Sequence, residues 1–385
     1  MSFVTPKIQS LPYSGIRRFF DVANEMTGVI SLGVGEPDFL TPWNVREEAI
    51  FHLEKRRTVY SSNAGLLPLR REISSFMSRR YNLTYSPEEQ VLVTVGGSEA
   101  IDLVLRAVIE PGDEVIYHEP CYVSYMPCVT LAGGVPVPVE TKEEDCFRLA
   151  PETLEAAITP RTKAVILSFP NNPTGAVMSR EDLEKIAGVL KDRDILVISD
   201  EIYSELAYGR EPHVSIANIP EIYGKTLVIN GFSKAFAMTG WRLGYACGPA
   251  DLIAAMTKIH QYAIMCAPTT SQYAGIEALR GCGRAVAEMR LQYDARRRVM
   301  RKGFLDMGLS CFEPFGAFYC FPSIKSTGLS TEDFCRRLLF EGKVAVVPGT
   351  AFGACGEGFV RCSYAYSIDS IKTALKRIEE FLGKI

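Results

Sequence analysis

The chain has 385 residues, a length that points to two lobes and not to one ordinary small domain. Its 47% hydrophobic and 23% charged content is that of a folded globular protein and excludes disorder. A net charge of −3, from 42 Lys plus Arg against 45 Asp plus Glu, without basic residues interleaved among aromatics, argues against nucleic acid or an anionic membrane as partner.

In chain order, the opening MSFVTPKIQSLPYSGIRRFF has no charged region followed by an apolar stretch, so nothing suggests secretion. Residues 1–44, rich in Pro and Gly, are expected to fold against the C-terminal lobe. From about residue 90 to 248, short apolar runs alternate with helical-length segments: VLVTV (91–95), EVIYHE (114–119), KAVILSF (163–169), ILVISD (195–200), TLVING (226–231) and RLGYACG (242–248). Runs without polar alternation predict strands buried on both faces, hence a mainly parallel sheet covered by helices. This gives a large three-layer α/β domain, assigned to 45–283. The longest uncharged run, Cys121 to Val139, holds Pro127, Gly133, Gly134, Pro136 and Pro138 and reads as soluble structure, not as a membrane helix. After Pro249 come long helical stretches, one reaching Leu279 and one from about Arg284 to Met307, in which Arg296, Arg297 and Arg298 read as a solvated face. AFYCFP, a helix near 331–341, VAVVPG, FVRCSY and a final helix predict a smaller α+β domain over 284–385. Eleven cysteines, an odd number below disulfide-scaffold density, fit reduced thiols in a cytoplasmic protein.

Several generic sites are excluded. The histidines His52, His118, His213 and His260 are scattered and no Cys-x-x-Cys or His-x-x-x-His occurs, so a metal has no framework. Gly33-Val34-Gly35 with Asp38 is not a dinucleotide fingerprint, and Gly224-Lys225-Thr226 has Ile219 where a P-loop needs glycine. What remains is a series of polar residues at the C-terminal ends of the predicted strands, where open α/β sheets bind ligands. Gly96-Gly97-Ser98 opens a helix and suits a phosphate, although a tight turn with Ser98 as N-cap explains it as well. Asn171-Asn172-Pro173-Thr174-Gly175 forms a polar turn. Asp200, with Tyr203 behind it, puts a carboxylate and a phenol in one crevice, unless Asp200 only caps a helix. Lys234 lies among Phe, Ala and Met, a poor setting for a solvated lysine, and Arg242 begins the next strand.

The ordered set Asn172-Pro173-Thr174-Gly175, Asp200-x-x-Tyr203, Ser233-Lys234, Arg242 and Arg361 resembles the class I/II pyridoxal-phosphate-dependent aminotransferases of the aspartate aminotransferase fold. The resemblance covers almost the whole chain, including Gly33 to Phe39 and Tyr60 to Leu69. Within that family it looks like the microbial aromatic and aspartate subgroup, which SGIRRFF (14–20) and FSKAFAMTGWRLGY also resemble. It implies the fold-type-I architecture of pyridoxal-phosphate enzymes, the cofactor itself, and a homodimer with shared sites.

By the same resemblance, Lys234 holds the cofactor aldehyde and later moves the substrate's proton, since a lysine amine is both nucleophile and base. Asp200 pairs with the pyridine nitrogen and keeps the ring an electron sink. Tyr203 and Asn172 hydrogen-bond the ring's phenolic oxygen, and Tyr122 stacks on the ring. Arg242, Ser233, Ser98 and the Gly97 backbone hold the phosphate, joined by Tyr60 of the neighbouring subunit. Arg361 binds the substrate carboxylate, with Asn172 and Gly35 beside the substrate. The implied reaction moves an amino group from an L-amino acid to a 2-oxo acid such as 2-oxoglutarate. Aspartate-specific transfer and C–S β-lysis remain alternatives on the same scaffold. Some aspartate-specific members place a lysine where this chain has Ser98, which favours an aromatic or dual aromatic and acidic donor. Ser14, Gly15 and Ile16 are expected to help form that pocket, and Arg17 or Arg18 could restore the missing charge.

Overall fold

Short apolar runs become strands wherever helices can cover both of their faces. In a computed structural model, which describes residues 3–13, 26–209 and 212–385, the strands in chain order are β1 (Ile30–Ser31), β2 (Val91–Thr94), β3 (Glu114–Glu119), β4 (Val135–Glu140), β5 (Thr162–Ser168), β6 (Leu196–Asp200), β7 (Thr226–Gly231), β8 (Gly244–Cys247), β9 (Tyr319–Cys320), β10 (Val344–Ala345), β11 (Val347–Pro348) and β12 (Val360–Ser363). Seven of them form one sheet in the order β2-β8-β7-β6-β5-β3-β4. The pairs from β7 through to β4 are parallel, and β8 runs antiparallel to both β2 and β7. Alternate residues enter different layers. Ala164 and Ile166 pack with Val104 and Met256, whereas Val165 and Leu167 pack with Ile186 and Leu190. That division is the three-layer α/β arrangement.

β4 was not among the expected strands, because Pro136 and Pro138 break the apolar run. It lies at the sheet edge. Val135 N–H bonds the Asp113 carbonyl at 2.8 Å. Two-residue spacing gives both prolines the same edge, so their missing donors face away from β3 and leave the outer edge unable to extend the sheet.

Beyond Pro249 the helices are Ala250–Ala263, Thr269–Gly281 and Gly283–Asp306, the first two separated by a bend at which Met265 has φ +76°. The Arg run is not a solvated face. Arg296 and Arg297 are buried; Arg296 bonds Asp38 at 2.7 Å, and Arg297 bonds Glu313 at 2.9 Å and Asp294 at 2.8 Å. Only Arg298 of the three is largely exposed. Partners distant in sequence draw two guanidinium groups inward, where an ion pair with further hydrogen bonds can offset their desolvation.

The last third builds a three-stranded antiparallel sheet, β11-β12-β9, against the helices Gly283–Asp306 and Ile368–Leu382. The chain's beginning joins it: β1 pairs with β10, Leu32 N–H bonds Ala345 O at 2.8 Å, and Ser363 N–H bonds Leu32 O at 2.6 Å. This pairing carries Gly33 to Asp38 to the ends of the large sheet's strands.

Candidate active site

Two residues after β2, Gly96 has φ +79° and stands as N-cap of the helix Gly97–Val108 without any side-chain cap. Ser98 is therefore not the N-cap; its exposed hydroxyl lies 3.4 Å from the Tyr122 hydroxyl. The turn packs so tightly on β8 that a Cβ on Gly244 would come within 2.5 Å of the Gly96 carbonyl carbon and 2.6 Å of the Gly97 nitrogen. Arg242, at φ +49°, bonds the carbonyls of Thr239 (3.1 Å) and Val95 (3.4 Å), which lays its guanidinium against Gly96. Ser233 is buried at the end of β7. An uncapped helix N-terminus, a guanidinium and hydroxyls make an anion cradle of the size and charge of a phosphate.

Lys234 follows that strand. Its Nζ donates to the Gly35 carbonyl at 2.7 Å and lies 5.9 and 5.8 Å from the ring centres of Tyr203 and Phe318. Burial pulls its pKa down to about 8, against the attraction of Glu36 and aided by the nearby charges of Arg361 and Arg242. Asp200 ends β6, fully enclosed. Oδ2 accepts from the Tyr125 hydroxyl at 2.7 Å and Oδ1 from Ile202 N–H at 3.2 Å. No helix follows it, so the capping alternative does not apply. Burial raises its pKa, opposed by those two hydrogen bonds and the Lys234 charge. Among the described residues it has no ion pair, and a buried carboxylate with neutral donors only is a ready partner for a cation such as a protonated pyridine nitrogen.

Arg361 enters from β12. It is buried; Nη1 donates to Asn172 Oδ1 at 2.8 Å and Nη2 to the Gly33 carbonyl at 2.6 Å. Its guanidinium carbon lies 4.4 Å from the Tyr319 ring centre and 4.8 Å from that of Phe352. Nε has no hydrogen-bond partner, and no carboxylate pairs with the group among the described residues. A buried cation so placed has capacity left for an incoming carboxylate. Asn172, with Oδ1 engaged, keeps its Nδ2 donor available. The Tyr203 and Tyr319 hydroxyls are 2.9 Å apart, and a Cβ on Gly35 would collide with the Tyr319 hydroxyl, so Gly35 leaves that phenol its place. Tyr122 is half-buried and meets Tyr125 edge-on at 5.7 Å.

Lys234, Asp200, Tyr203, Asn172, Tyr122, Arg361 and Gly35 thus come together, beside the cradle of Gly97, Ser98, Ser233 and Arg242. Tyr60 stands apart, 78% exposed and without a hydrogen bond to any of them. Ser14, Gly15, Ile16, Arg17 and Arg18 lie outside the described residues. Two members were not anticipated. Tyr125 opens the helix Tyr125–Ala132 three residues after Tyr122, and its N–H bonds the Tyr122 carbonyl at 3.3 Å. Tyr319 sits across from Ser363 in the β9–β12 pair, two residues beyond Arg361. Among the described residues no group of His, Cys, Asp or Glu has a metal-binding arrangement.

Adjoining the site through Tyr122 and Phe352 is a cavity of about 1050 Å³, with Tyr13, Tyr117, Met126 and Phe340 also in its walls. Its charged lining is Glu119, Glu332, Asp333 and Arg336. Arg336 already pairs with Asp333 at 2.9 Å.

Residues 27–378 match the family described as aminotransferase class I and II. The chain is 52% identical to the YugH protein of Bacillus subtilis (strain 168) over 383 residues, 100% of this chain and 99% of that one. It is 45% identical to the aspartate aminotransferase of Pyrococcus abyssi over 371 residues, 96% and 95% of the two chains. The crystal structure of an aromatic aminotransferase from Pyrococcus horikoshii superposes with a TM-score of 0.91 at 43% identity, covering 95% of this chain and 99% of that one.

Proposed function

Since this chain belongs to the class I and II aminotransferases, pyridoxal-phosphate-dependent transaminases, we propose that it moves the amino group of an aromatic L-amino acid, or of aromatic and acidic donors alike, to a 2-oxo acid such as 2-oxoglutarate. The observation that carries the donor class is the adjoining cavity. Its walls are aromatic and thioether side chains, its carboxylates outnumber its one cation among the described residues, and Ser98 leaves the phosphate turn without a lysine. A second carboxylate finds little to meet there, whereas a phenyl or phenol ring finds apolar surface to bury.

Bound here, the cofactor supplies an aldehyde to carry the amino group and a ring to take up electrons from Cα. The chain's own residues do the rest. Lys234, its amine made easier to deprotonate by burial, holds the aldehyde and then shuttles a proton at the substrate Cα. Asp200, steadied by Tyr125, would hold the ring nitrogen. Tyr203 and the Asn172 amide would donate to the phenolic oxygen, and Tyr122 would hold the ring. Arg361 takes the α-carboxylate in its fork with Asn172 and Gly35 alongside, and Gly97, Ser98, Ser233 and Arg242 take the phosphate. In this reading residues 45–283 form the cofactor-binding domain and 284–385 the small domain, with 1–44 packed against the latter.

A second copy completes the site. The exposed Val59, Tyr60, Tyr262 and Ile264 offer apolar surface at the loop that carries Tyr60, where Asn63 bonds the Met265 carbonyl, suited to a homodimer in which Tyr60 reaches the partner's phosphate. No helix among the described residues is long and apolar enough to cross a membrane, and eleven free thiols suit the cytoplasm. Incubation of the purified protein with phenylalanine and 2-oxoglutarate tests the proposal: phenylpyruvate and glutamate should appear in equal amounts. No glutamate from phenylalanine, together with pyruvate, ammonia and thiol released from a cysteine S-conjugate, would overturn it in favour of a lyase.

A further inference from the structure

Behind the phosphate turn lies a buried polar pair. Glu99, in the first turn of the helix Gly97–Val108, folds back so that Oε2 accepts Val95 N–H at 2.5 Å, while Oε1 bonds His260 Nδ1 at 2.7 Å. His260 is fully buried in the helix Ala250–Ala263, and its Nε2 has no hydrogen-bond partner. The His260 carbonyl accepts the amides of Ile264 (2.8 Å) and Met265 (3.0 Å), and the Met265 carbonyl accepts Asn63 Nδ2 at 2.8 Å. One path of contacts therefore runs from the loop of Tyr60 to the turn of Gly96, Gly97 and Ser98.

A carboxylate in a helix's first turn could fold over the free amides and occupy an anion's place. Here both of its oxygens are engaged behind the turn, by Val95 and by His260, and the amides of Gly97 and Ser98 are left open. We propose that His260 and Glu99 are positioning residues for the phosphate cradle: His260 holds Glu99 back, Glu99 holds Val95, and the amides and Arg242, itself bonded to the Val95 carbonyl, keep the geometry that receives the phosphate. The inference rests on the reading of Gly96–Ser98 as the phosphate turn.

The test compares two ligands. Full-length chain freed of cofactor is titrated with pyridoxal 5'-phosphate and with pyridoxal, which has the same ring and aldehyde without the phosphate, for wild type, His260→Gln and Glu99→Gln. Glu99→Gln preserves shape and keeps the test usable if His260→Gln does not fold. Each variant should bind pyridoxal phosphate about tenfold more weakly, the size of the difference between a charge-assisted and a neutral hydrogen bond, while its affinity for pyridoxal stays put. The ³¹P resonance of the bound cofactor should move as well. Unchanged affinity for pyridoxal phosphate, or equal weakening of both ligands as a general packing defect would give, overturns the proposal. A wild-type chain that binds both ligands alike would instead overturn the phosphate assignment beneath it.

Discussion

Replacing Arg361 tests the carboxylate site most sharply, because its two amino groups already show the fork that a substrate would use. A hydrogen bond to a charged group contributes about 1.5–3 kcal/mol. Arg361→Lys keeps the charge and can align at most one donor, so about one such bond is lost. A loss of about 2 kcal/mol of transition-state binding is roughly thirtyfold in kcat/KM. Arg361→Ala removes both bonds and leaves Asn172 Oδ1 and the Gly33 carbonyl without their donors, for about 4 kcal/mol or roughly a thousandfold. Neither change touches the phosphate cradle, so affinity for the cofactor should hold. The assay is the single-turnover half-reaction with phenylalanine, followed by the absorbance of the bound cofactor, alongside a cofactor titration. An Arg361→Lys rate within about threefold of wild type, or an Arg361→Ala chain that loses cofactor and not substrate, would remove Arg361 from the carboxylate site.

Lys234→Ala should abolish amino transfer, and substantial turnover in that variant would remove the lysine from its role. Asp200→Ala should retain some cofactor and lose most activity, because the ring nitrogen loses its anion; wild-type rates would place that partner elsewhere. In the cofactor-free chain the Lys234 pKa stands at about 8, below the ordinary lysine value. The reactive neutral amine therefore accumulates as pH rises through about 8, and the rate of covalent cofactor capture, read by stopped-flow absorbance, should rise over that range and then level off. A rate independent of pH between about 6.5 and 9.5 would contradict it. Mixing Tyr60→Phe chains with Lys234→Ala chains should yield heterodimers with one intact site, so at limiting cofactor the mixture should exceed the mean of its parents. No gain would argue against shared sites.

Much of the fold is legible where physical chemistry acts locally. The runs at β3, β5, β6 and β7 carry apolar residues on both faces and are short enough to read as buried strands, and the residues closing them lie in one crevice because parallel strands end on the same side. β4 escapes because its prolines are tolerable only at a sheet edge, a position set by tertiary pairing. Arg296 and Arg297 read as surface because Asp38 and Glu313, the acids that draw them inward, are remote in sequence. Lys234, Asp200 and Arg361 stand out by residue type in unsuitable surroundings. Tyr125 and Tyr319 do not, since a buried tyrosine is ordinary until its hydroxyl is seen to meet Asp200 or Tyr203.

Steady-state kcat/KM for Phe, Tyr, Asp and Glu, with one oxo acid and one buffer, measures the donor preference directly. Phenylalanine or tyrosine should react at least as well as aspartate, because the cavity beside Tyr122 and Phe352 offers apolar walls and no unpaired cation among its described lining residues. A preference for aspartate over phenylalanine of more than about tenfold, or roughly 1.4 kcal/mol of transition-state discrimination, would contradict it.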